Sequence, residues 1–517
     1  MKSSSQHQFS RVPSVSIPRS SFNRSHTHKT TFDAGYLIPV YWDEVLPGDT
    51  FNLKMSAFAR MSTPLWPVMD NLRLDSHFFF VPNRLIWENW TKFMGEQIDP
   101  GDSIDYPPPT LTKATGFVEG LLGNYLGVPL AVPGLEHSSL PYRAYYKVWN
   151  EWFRDQNLQD SLDLDVDDGP DNYTDFILQR RNKRHDYFTS GLPWPQKGDS
   201  VDIPLGTTAP IHTDATAIQD LSIYSTDAAD QVRLDSSGSF LQSAGGGGTA
   251  AYAMYTDLST ATAATINQLR QAFQIQRLLE RDARSGTRYI ELVKAHFGVT
   301  SPDARQQRSE YLGGGSTAIN INPVLVTSGR DSTADKQPGD LAAFATTAIN
   351  GHGFTKSFTE HGIVIGLVSV RADLSYSQGL NRAFSRETRY DYYWPSLSHI
   401  GEQVVKNKEL YAVGTGGSTD EDAFCYQERY AEYRYKPSLI TGDFSSQASA
   451  TLDAWHLGQE FSSLPTLSST FIEENPPLDR VLITAGSEPH FIFDSYFDLK
   501  CARPMPLYGV PGLIDHF

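Results

Sequence analysis

The sequence predicts a mainly β protein built around one antiparallel sandwich with elaborate loops. Strand-like runs occur near both ends of the chain, and helical and irregular stretches separate them, which is typical of a sandwich with insertions. Aromatic residues, which favour strands and also anchor interfaces, make up 12% of the 517 residues. The 31 prolines and 39 glycines indicate many turns and long loops. A chain of this length buries a full hydrophobic core without disulfides.

Several segments have strand patterns. Residues 36–61 contain two strand-like runs, which the turn sequence Pro47-Gly48-Asp49 separates. Residues 72–82 alternate and then become fully apolar, as a strand that enters a core does. The strongest strand predictions in the last third are residues 362–376, 425–437 and 489–504. The middle one alternates aromatic and charged residues with period two, which is typical of a half-exposed antiparallel strand.

Three stretches have helical patterns. A short helix is predicted at residues 85–94, and the clearest helical region covers residues 261–298, with a break at Gly286 and an end at Gly298. Residues 142–158 also favour a helix with one aromatic face, which consists of Tyr142, Tyr145, Tyr146, Trp149, Trp152 and Phe153. Such a stripe is more typical of a core or a subunit interface than of a ligand site.

The first 32 residues contain basic side chains and no acidic one. The basic residues are Lys2, Arg11, Arg19, Arg24 and Lys29. This segment lacks an apolar period, so the sequence predicts a basic, mobile or extended N-terminal arm at residues 1–32, ahead of a single domain at residues 33–517. The arm is either an ordinary frayed terminus or a segment that meets nucleic acid or a neighbouring subunit. The net charge of −17 argues against a general nucleic-acid binder.

Residues 201–260 differ from the rest of the chain in composition. They are rich in Ala, Ser and Thr, and they contain seven Asp but only one basic residue, Arg233. The candidate contact residues of this stretch are Asp214, Asp220, Asp227, Asp230, Arg233, Asp235, Gly245, Gly246, Gly247 and Gly248. A polar, acidic, glycine-broken stretch between β-rich segments indicates a surface insertion. The alternative interpretation is a linker between two domains.

No motif points to catalysis, a metal or a cofactor. The run from Asp163 to Gly169 resembles the start of a calcium loop, but its sixth and twelfth positions lack the required Gly and Glu, so a solvated acidic turn is favoured over a loose cation site. Glu360 and His361 are neighbours with no nucleophile fixed beside them. The run at residues 313–315 is interpreted as a flexible glycine turn rather than a phosphate-binding loop. We therefore expect no enzymatic activity.

The expected compartment follows from three absences in the sequence. Cys425 and Cys501 are too few for a disulfide framework, so we expect reduced thiols. No apolar run approaches the ~20 residues that span a bilayer. The N-terminus has no apolar segment of the kind that a secretory signal needs. A soluble protein made in the cytoplasm is expected.

Several segments closely resemble the major capsid proteins of the microvirus family (Microviridae), in its gokushovirus branch. The longest is TINQLRQAFQIQRLLERDARSGTRYIELVKAHFGVTSPDARQQRSEYLGGG, at residues 265–315. Others are HKTTFDAGYLIPVYWDEVLPGDTF near the start, GIVIGLVSVRADLSYSQGLNR and RYDYYWPSLSHIGEQ later, and MPLYGVPGLIDHF at the end. The resemblance covers nearly the whole chain in order, except residues 200–262.

The resemblance implies an eight-stranded antiparallel jelly roll whose long loop insertions contain several helices. It also implies an icosahedral T=1 shell, with one copy of the chain per asymmetric unit, around a circular single-stranded DNA phage genome. Residues 201–260 match in place and character the insertion that forms protrusions at the threefold axes in this branch, where host attachment is expected. The implied location is the virion, assembled in the cytoplasm of the bacterial host.

The resemblance further implies several partners. These are the packaged single-stranded DNA, a small basic DNA-binding protein, a minor DNA pilot protein, a scaffolding protein during assembly and a host cell-surface receptor. The five basic residues of the arm are the expected nucleic-acid contacts, and no cofactor is expected. The rival function from another class is a secreted β-sandwich that binds or cleaves polysaccharide, which the abundant aromatics and Asp favour. A cellular DNA-binding protein is a third possibility, which the net charge opposes.

Overall fold

The computed structural model describes residues 18–199, 201, 211–213, 221–224, 231–237, 240–245, 254–256, 266–286, 288–300, 307–327, 339–414, 419–484, 486 and 488–508. The chain divides into two compact units. Unit 1 consists of Met1–Pro195 and Gly286–Phe517, and unit 2 is Gln196–Ser285.

Most of the regular structure is strand. The strands are β1 (Ser20–Asn23), β2 (His26–Phe32), β3 (Ile38–Val45), β4 (Thr50–Met61), β5 (Leu72–Pro82), β6 (Thr110–Thr112), β7 (Glu136–Ser138), β8 (Asp171–Asn172), β9 (Ile211–Thr213), β10 (Leu221–Tyr224), β11 (Gln231–Ser237), β12 (Phe240–Gly245), β13 (Met254–Thr256), β14 (Glu310–Leu325), β15 (Leu341–Ser357), β16 (Gly362–Ala372), β17 (Ser375–Tyr376), β18 (Glu402–Lys406), β19 (Ala423–Glu428), β20 (Ser438–Leu439) and β21 (Phe491–Arg503).

Helices are mostly short. The α-helices are α1 (Trp90–Phe93), α2 (Leu122–Tyr125), α3 (Leu140–Val148), α4 (Ile266–Ser285), α5 (Tyr289–Phe297), α6 (Asn407–Leu410) and α7 (Ser469–Ile472), and a π-helical turn, Trp149–Phe153, extends α3. Single 3-10 turns lie at Asn83–Leu85, Tyr173–Asp175, Arg382–Ser385, Arg389–Asp391, Pro395–Leu397, Ala431–Tyr433, Gly442–Phe444, Asp453–Trp455 and Leu478–Arg480. Within the described ranges, no helix has both the length and the apolar character needed to cross a membrane.

Nine strands of unit 1 form one antiparallel sheet in the order β1-β21-β4-β15-β14-β5-β16-β3, and β2 also pairs with β21. Its two four-stranded halves, β2-β21-β4-β15 and β3-β16-β5-β14, are called sheets below. The first part of β14 pairs with β5, and its second part, residues 320–325, pairs with β15, so these two strands join the sheets. Strand β1 extends the first sheet by pairing with the end of β21. Two such sheets connected across their ends are the jelly-roll arrangement, and the predicted fold class is confirmed.

The core lies between the two sheets, because alternate side chains of each strand point inward. Strand β4 contributes Phe51, Leu53 and Met55 to this core. The other central strands contribute, among others, Phe78, Phe80, Val364, Val368, Phe491, Phe493 and Phe497. All of these side chains are at most 8% exposed, so the interior matches the period-two pattern of the sequence.

A second apolar layer covers the outer face of the sheet β3-β16-β5-β14. Here Phe79, Ile363 and Ile365 pack against a cluster that includes the aromatic face of α3. The predicted aromatic stripe is therefore mainly core, since Tyr142, Tyr145, Tyr146 and Trp149 are all at most 4% exposed. The central strand β16 of this sheet is buried at every position, and the sheet is called the covered sheet below. The sheet β2-β21-β4-β15 is called the open sheet, because its outward-facing side chains remain exposed.

The interpretation of residues 313–315 as a flexible turn is wrong. Gly313, Gly314 and Gly315 lie inside β14 and pair with β5. Glycine is required there because the chains approach closely: a Cβ on Gly314 would lie 2.1 Å from the carbonyl oxygen of Ser76. Three consecutive glycines are weak strand formers, so local propensity alone did not indicate this strand.

Two other boundaries differ from the predicted ones. The strand predicted at residues 425–437 ends at Glu428, because Tyr430 adopts a left-handed conformation with φ 64° and a 3-10 turn follows. The helix predicted at residues 142–158 ends at Phe153. The predicted helical region at residues 261–298 contains α4 and α5, with Gly298 in the left-handed conformation at the end of α5, and its residues 261–265 lie outside the described residues.

Unit 2 has its own small elements. Strands β10, β11 and β12 form an antiparallel sheet, β9 pairs with β13, and α4 follows. Unit 2 covers a longer stretch of sequence than the predicted insertion at residues 201–260, because it includes α4. Unit 1 continues in the sequence on both sides of unit 2, which supports an insertion rather than a linker between two domains.

Candidate assembly and nucleic-acid surfaces

The predicted basic arm overlaps the sandwich. Residues 20–32 form β1 and β2 on the edge of β21, so the chain enters the open sheet well before the predicted boundary at residue 32. Arg19 donates to the carbonyl oxygen of Gly48 at 2.6 Å. Lys29 lies 3.7 Å from Asp494, and both side chains are exposed. Lys2 and Arg11 lie outside the described residues.

Arg24 is engaged within the sandwich. Its two terminal nitrogens donate to the carboxylate of Asp43 at 2.5 and 3.0 Å. Burial acts to lower the pKa of Arg24, but the hydrogen bond and charge of Asp43 outweigh it and raise that pKa above its ordinary value. Arg24 therefore has its charge balanced by the protein, whereas the exposed Arg19 and Lys29 lie at the surface.

The candidate residues of the insertion fall mostly outside the described residues. Arg233 and Asp235 lie on β11, where they pair in register with Ala244 and Gln242 of β12, and Gly245 ends β12. Asp214, Asp220, Asp227, Asp230, Gly246, Gly247 and Gly248 lie outside the described residues. The described strands bring Arg233, Asp235 and Gly245 into one small sheet of unit 2.

The acidic run at residues 163–169 is held by protein groups rather than arranged for a cation. Arg143, fully buried at the start of α3, donates two bonds to Asp171 at 2.7 and 2.5 Å and one to the carbonyl oxygen of Asp167 at 2.8 Å. Trp87 donates to Asp168 at 2.7 Å. In the described part of the chain, no three His, Cys, Asp or Glu side chains form a group able to hold a metal ion.

The pair Glu360 and His361 has structural contacts. Glu360 accepts from Arg84 at 2.7 Å, and the His361 ring packs edge-on to Trp90 with centroids 5.6 Å apart. Cys425 and Cys501 are both buried as free thiols, and burial raises the pKa of each. These reactive residue types are thus placed in packing and ion-pair roles.

An exposed cluster of tyrosines and arginines lies on the loops around residues 386–394 and 429–435. Arg386 stacks over Tyr392 and Tyr433 with 5.0 and 4.8 Å to the ring centroids. Arg429 donates to the carbonyl oxygen of Tyr390 at 2.8 Å, which ties the two loops together. The exposed large side chains of this cluster are Tyr390, Tyr392, Tyr393, Trp394, Tyr433 and Tyr435. Tyr, Trp and Arg are the residues that protein interfaces concentrate.

The open sheet supplies a second exposed surface that the sequence analysis missed. On β4, every second residue from Asn52 to Arg60 faces outward, and on β21 the outward set runs from Ile492 to Lys500. Phe58 and Tyr496 stay 51% and 47% exposed on this face. The signal was present as a period-two alternation of apolar with polar or basic residues in 50–61 and 491–501.

Comparisons with known proteins agree with this architecture. The family model described as "Capsid protein (F protein)" matches residues 10–513. A capsid protein VP1 of Bdellovibrio phage phiMH2K is 46% identical, with 99% of this chain and 98% of the relative covered. A capsid protein VP1 of Chlamydia phage 1 is 42% identical, with 98% of each chain covered. A capsid protein VP1 of Spiroplasma virus 4 is 37% identical, with 98% of this chain and 97% of the relative covered.

The agreement extends over the whole jelly roll and its insertions, because the matched range runs from the arm to the last residues after β21. A family of shell proteins acts through contacts between copies and not through turnover. The chain belongs to the capsid protein (F protein) family, as a structural capsid protein of the gokushovirus type and not an enzyme.

Proposed function

We propose that this chain forms, with one copy per asymmetric unit, a small T=1 icosahedral shell around the circular single-stranded DNA genome of a bacteriophage. Two observations support this proposal most strongly. The chain folds as an eight-stranded jelly roll, and its sequence aligns over nearly its full length with three proteins named capsid protein VP1. Membership of this family implies assembly into a multi-subunit shell and a place in the virion. The assembly site is the cytoplasm of the bacterial host.

The tyrosine and arginine cluster is suited to contact between copies. Its rings are exposed in the single chain, although Tyr393 and Tyr430 already pack with centroids 5.2 Å apart. A preassembled set of rings and guanidinium groups loses little conformational freedom on binding, which favours a stable interface. This cluster therefore buries against a neighbouring subunit in the shell.

The basic residues of the N-terminal segment face the genome in this proposal. Lys2, Arg11, Arg19 and Lys29 supply the positive charge of this segment, and Arg24 pairs with Asp43. Few phosphates are neutralised by so few cations, so most of the genome's charge needs counterions or the small basic DNA-binding protein. The minor pilot protein and a scaffolding protein are the further assembly partners.

Unit 2 is the proposed site of host attachment, at protrusions on the threefold axes. Its sequence is acidic and rich in small polar residues, as a solvent-facing protrusion is, and it interrupts unit 1 without dividing the sandwich strands. The partner is a host cell-surface receptor.

Electron microscopy tests the shell. The chain is produced in bacteria with its neighbouring genes, and the large-particle fraction is imaged, with mass spectrometry identifying the shell protein. Uniform small icosahedral particles built from this chain and containing circular single-stranded DNA are expected. A chain that stays monomeric or dimeric beside those partners contradicts the proposal.

Replacing residues 205–255 by a short Gly/Ser linker tests host attachment. We expect particles of normal yield that no longer adsorb to host cells. Undiminished adsorption contradicts the attachment role, and loss of particles contradicts the separation of attachment from assembly. Replacing Arg11, Arg19 and Lys29 with Gln tests the phosphate contacts of the N-terminal segment. We expect this variant to retain less DNA at high salt, and a salt dependence equal to that of the unchanged protein contradicts phosphate contact.

A further inference from the structure

Among the described residues of unit 1, none forms a covering layer over one face of the jelly roll. In the covered sheet, every residue of β16 and most residues of β5 are buried. On the open sheet, by contrast, the outward side chains of β2, β21 and β4 are exposed at nearly every position. An outer face that the subunit leaves open meets either solvent or a partner in the particle.

The charge of this open face opposes that of the chain. Its cations are Lys29, Lys54, Arg60 and Lys500, and its carboxylates are Asp494 and Asp498. The face thus has a net positive charge on a chain of net charge −17. Considering the described residues only, Lys54, Arg60 and Lys500 have no carboxylate oxygen within 4.0 Å, although Asp498 lies directly opposite Lys54 in the β4–β21 pair.

The open face also presents exposed aromatic rings, among them Phe58 and Tyr496 on the adjacent strands β4 and β21. Phe58 lies opposite Asp494 and Tyr496 lies opposite Ser56, so the rings occupy diagonal positions of the β4–β21 pair. Side chains at such positions have Cα atoms roughly 7–8 Å apart, within reach of neighbouring groups on one ligand. Around them lie short polar side chains that can hydrogen-bond bases, namely Asn52, Ser56, Asn350, Thr27 and Thr346.

We propose that the open face of β2-β21-β4-β15 binds the packaged single-stranded DNA. Phe58 and Tyr496 stack on unpaired bases, while Lys54, Arg60 and Lys500 contact the flanking phosphates. Binding of single strands without sequence preference combines such aromatic platforms with a positive track for the backbone. This inference rests on the proposed function, because it needs a shell that encloses single-stranded DNA.

The face suits nucleic acid better than a second copy of the chain. The centre of an interface between proteins is depleted of charged residues, and Lys is depleted throughout. Here lysines and an arginine surround the rings, and only two carboxylates accompany them. A polyanion with stackable bases complements both the positive charge and the exposed rings of this face.

Ultraviolet cross-linking of intact particles is the first test. After irradiation, protein and DNA are digested, and peptides carrying nucleotides are identified by mass spectrometry. Cross-links to the peptides that contain Phe58 and Tyr496 are expected. DNA-containing particles whose cross-links all map elsewhere overturn the inference and leave the proposed function standing. Particles without DNA overturn the proposed function itself.

Binding of full-length chain to a fluorescent oligothymidylate, measured by anisotropy at several salt concentrations, is the second test. Replacing Lys54, Arg60 and Lys500 with Gln should lower the slope of log K against log salt by about 2, since each single-strand contact contributes roughly 0.7. The control replaces three exposed cations away from this face, Arg184, Lys294 and Lys436, with Gln. The inference is overturned if the salt slope changes equally in the open-face variant and the control variant, or if it does not change in the open-face variant.

The rings have a matched test of their own. Phe58→Ala and Tyr496→Ala should each weaken oligothymidylate binding about tenfold, as loss of one stacked base does. Tyr289→Ala removes a ring that is 80% exposed on α5 and should leave binding unchanged. Amine-reactive cross-links from Lys54 or Lys500 of one copy to another copy in particles would show that a second subunit occupies the face, which overturns the inference.

Discussion

Gly314 shows how a single residue determines the distance between two strands, β14 and β5. A Cβ at this position would lie 2.1 Å from the carbonyl oxygen of Ser76 and 2.9 Å from the hydroxyl of Tyr311. The first contact is with backbone, so β5 itself would have to move.

Gly314→Ala is therefore expected to destabilise unit 1 by at least about 2 kcal/mol, within the range for overpacked interiors. The measurement is the urea midpoint of the tryptophan fluorescence change. Gly101→Ala is the control, because a Cβ there would meet nothing within 4 Å. A shift no larger than that of the control would contradict the proposed cause.

Arg143 joins a buried helix to the acidic loop. Its side chain is fully buried, and Asp171, its main partner, has a side chain only 6% exposed. Arg143→Met leaves that carboxylate buried without a cation, so a loss of about 3–5 kcal/mol is expected in the same urea measurement.

The matched control for Arg143 is an exposed ion pair. In the pair of Lys29 and Asp494, the side chains are 72% and 52% exposed, so Lys29→Met should change stability by less than about 1 kcal/mol. Similar losses in both variants would show that charge burial is not the deciding factor.

His77 makes stability depend on pH. Burial lowers its pKa from 6.5 to about 4, and the positive charge of Arg181 adds to this effect, whereas Asp75 opposes it. The folded state therefore binds fewer protons than the unfolded chain between these two values. The stability from neutral His77 is complete above pH 6.5 and is lost as the pH falls towards about 4.

His77→Phe should remove part of this acid sensitivity, because the ring already packs against Phe79, Phe153 and Tyr311. The expected difference between variant and unchanged protein is about 3 kcal/mol between pH 7 and pH 4. Urea midpoints across that window measure it, with the exposed His185→Phe as control. If the urea midpoints of all three proteins fell equally between pH 7 and pH 4, His77 would not be the source of the acid sensitivity.

At the scale of elements, the decisive strand is β2. It pairs with β21 from His26↔Phe497 to Phe32↔Phe491, and Phe32 is 1% exposed in the core. Sequence patterns placed this segment in a basic arm, because His26, Thr27, His28 and Lys29 have no apolar alternation. The same patterns identified β3, β4, β5, β16 and β21, whose alternating or continuous apolar residues lie next to one another in sequence.

Two truncations distinguish the contribution of residues 2–17 to folding from that of strand β2. Removing residues 2–17 leaves β1 and β2 intact and should preserve soluble, folded protein. Removing residues 2–32 exposes the edge of β21 and takes Phe32 out of the core, so insoluble protein is expected. The soluble fraction after expression distinguishes them, and equal solubility of the two truncations would show that β2 is dispensable.

At the scale of the whole molecule, the two sheets of the sandwich differ in how far their outer faces are covered. The helix α3 and its aromatic residues cover one sheet, and the other sheet stays open with positive charge and exposed rings. Unit 2 is inserted between β8 and β14 and has strands that pair only with one another among the described residues. This arrangement lets the insertion vary while the sandwich is kept.

Unit 1 should therefore unfold at nearly the same temperature after residues 205–255 are replaced by a short linker. The physical reason is that none of the eight jelly-roll strands falls in that range. Differential scanning calorimetry of the two proteins tests this, and a drop in the main transition of more than about 4 °C would show that unit 2 supports the sandwich.

The sequence by itself determined the fold class, most long strands, the helices at 266–297 and the capsid resemblance, because these rest on local periodicity and on long continuous segments. It also located the basic residues of the N-terminal segment. Tertiary structure alone decided that Gly313, Gly314 and Gly315 form a strand, that Arg24 pairs with Asp43, and which sheet face stays open. Each of these depends on atoms from distant parts of the chain, whose contacts outweigh the preferences of the local sequence.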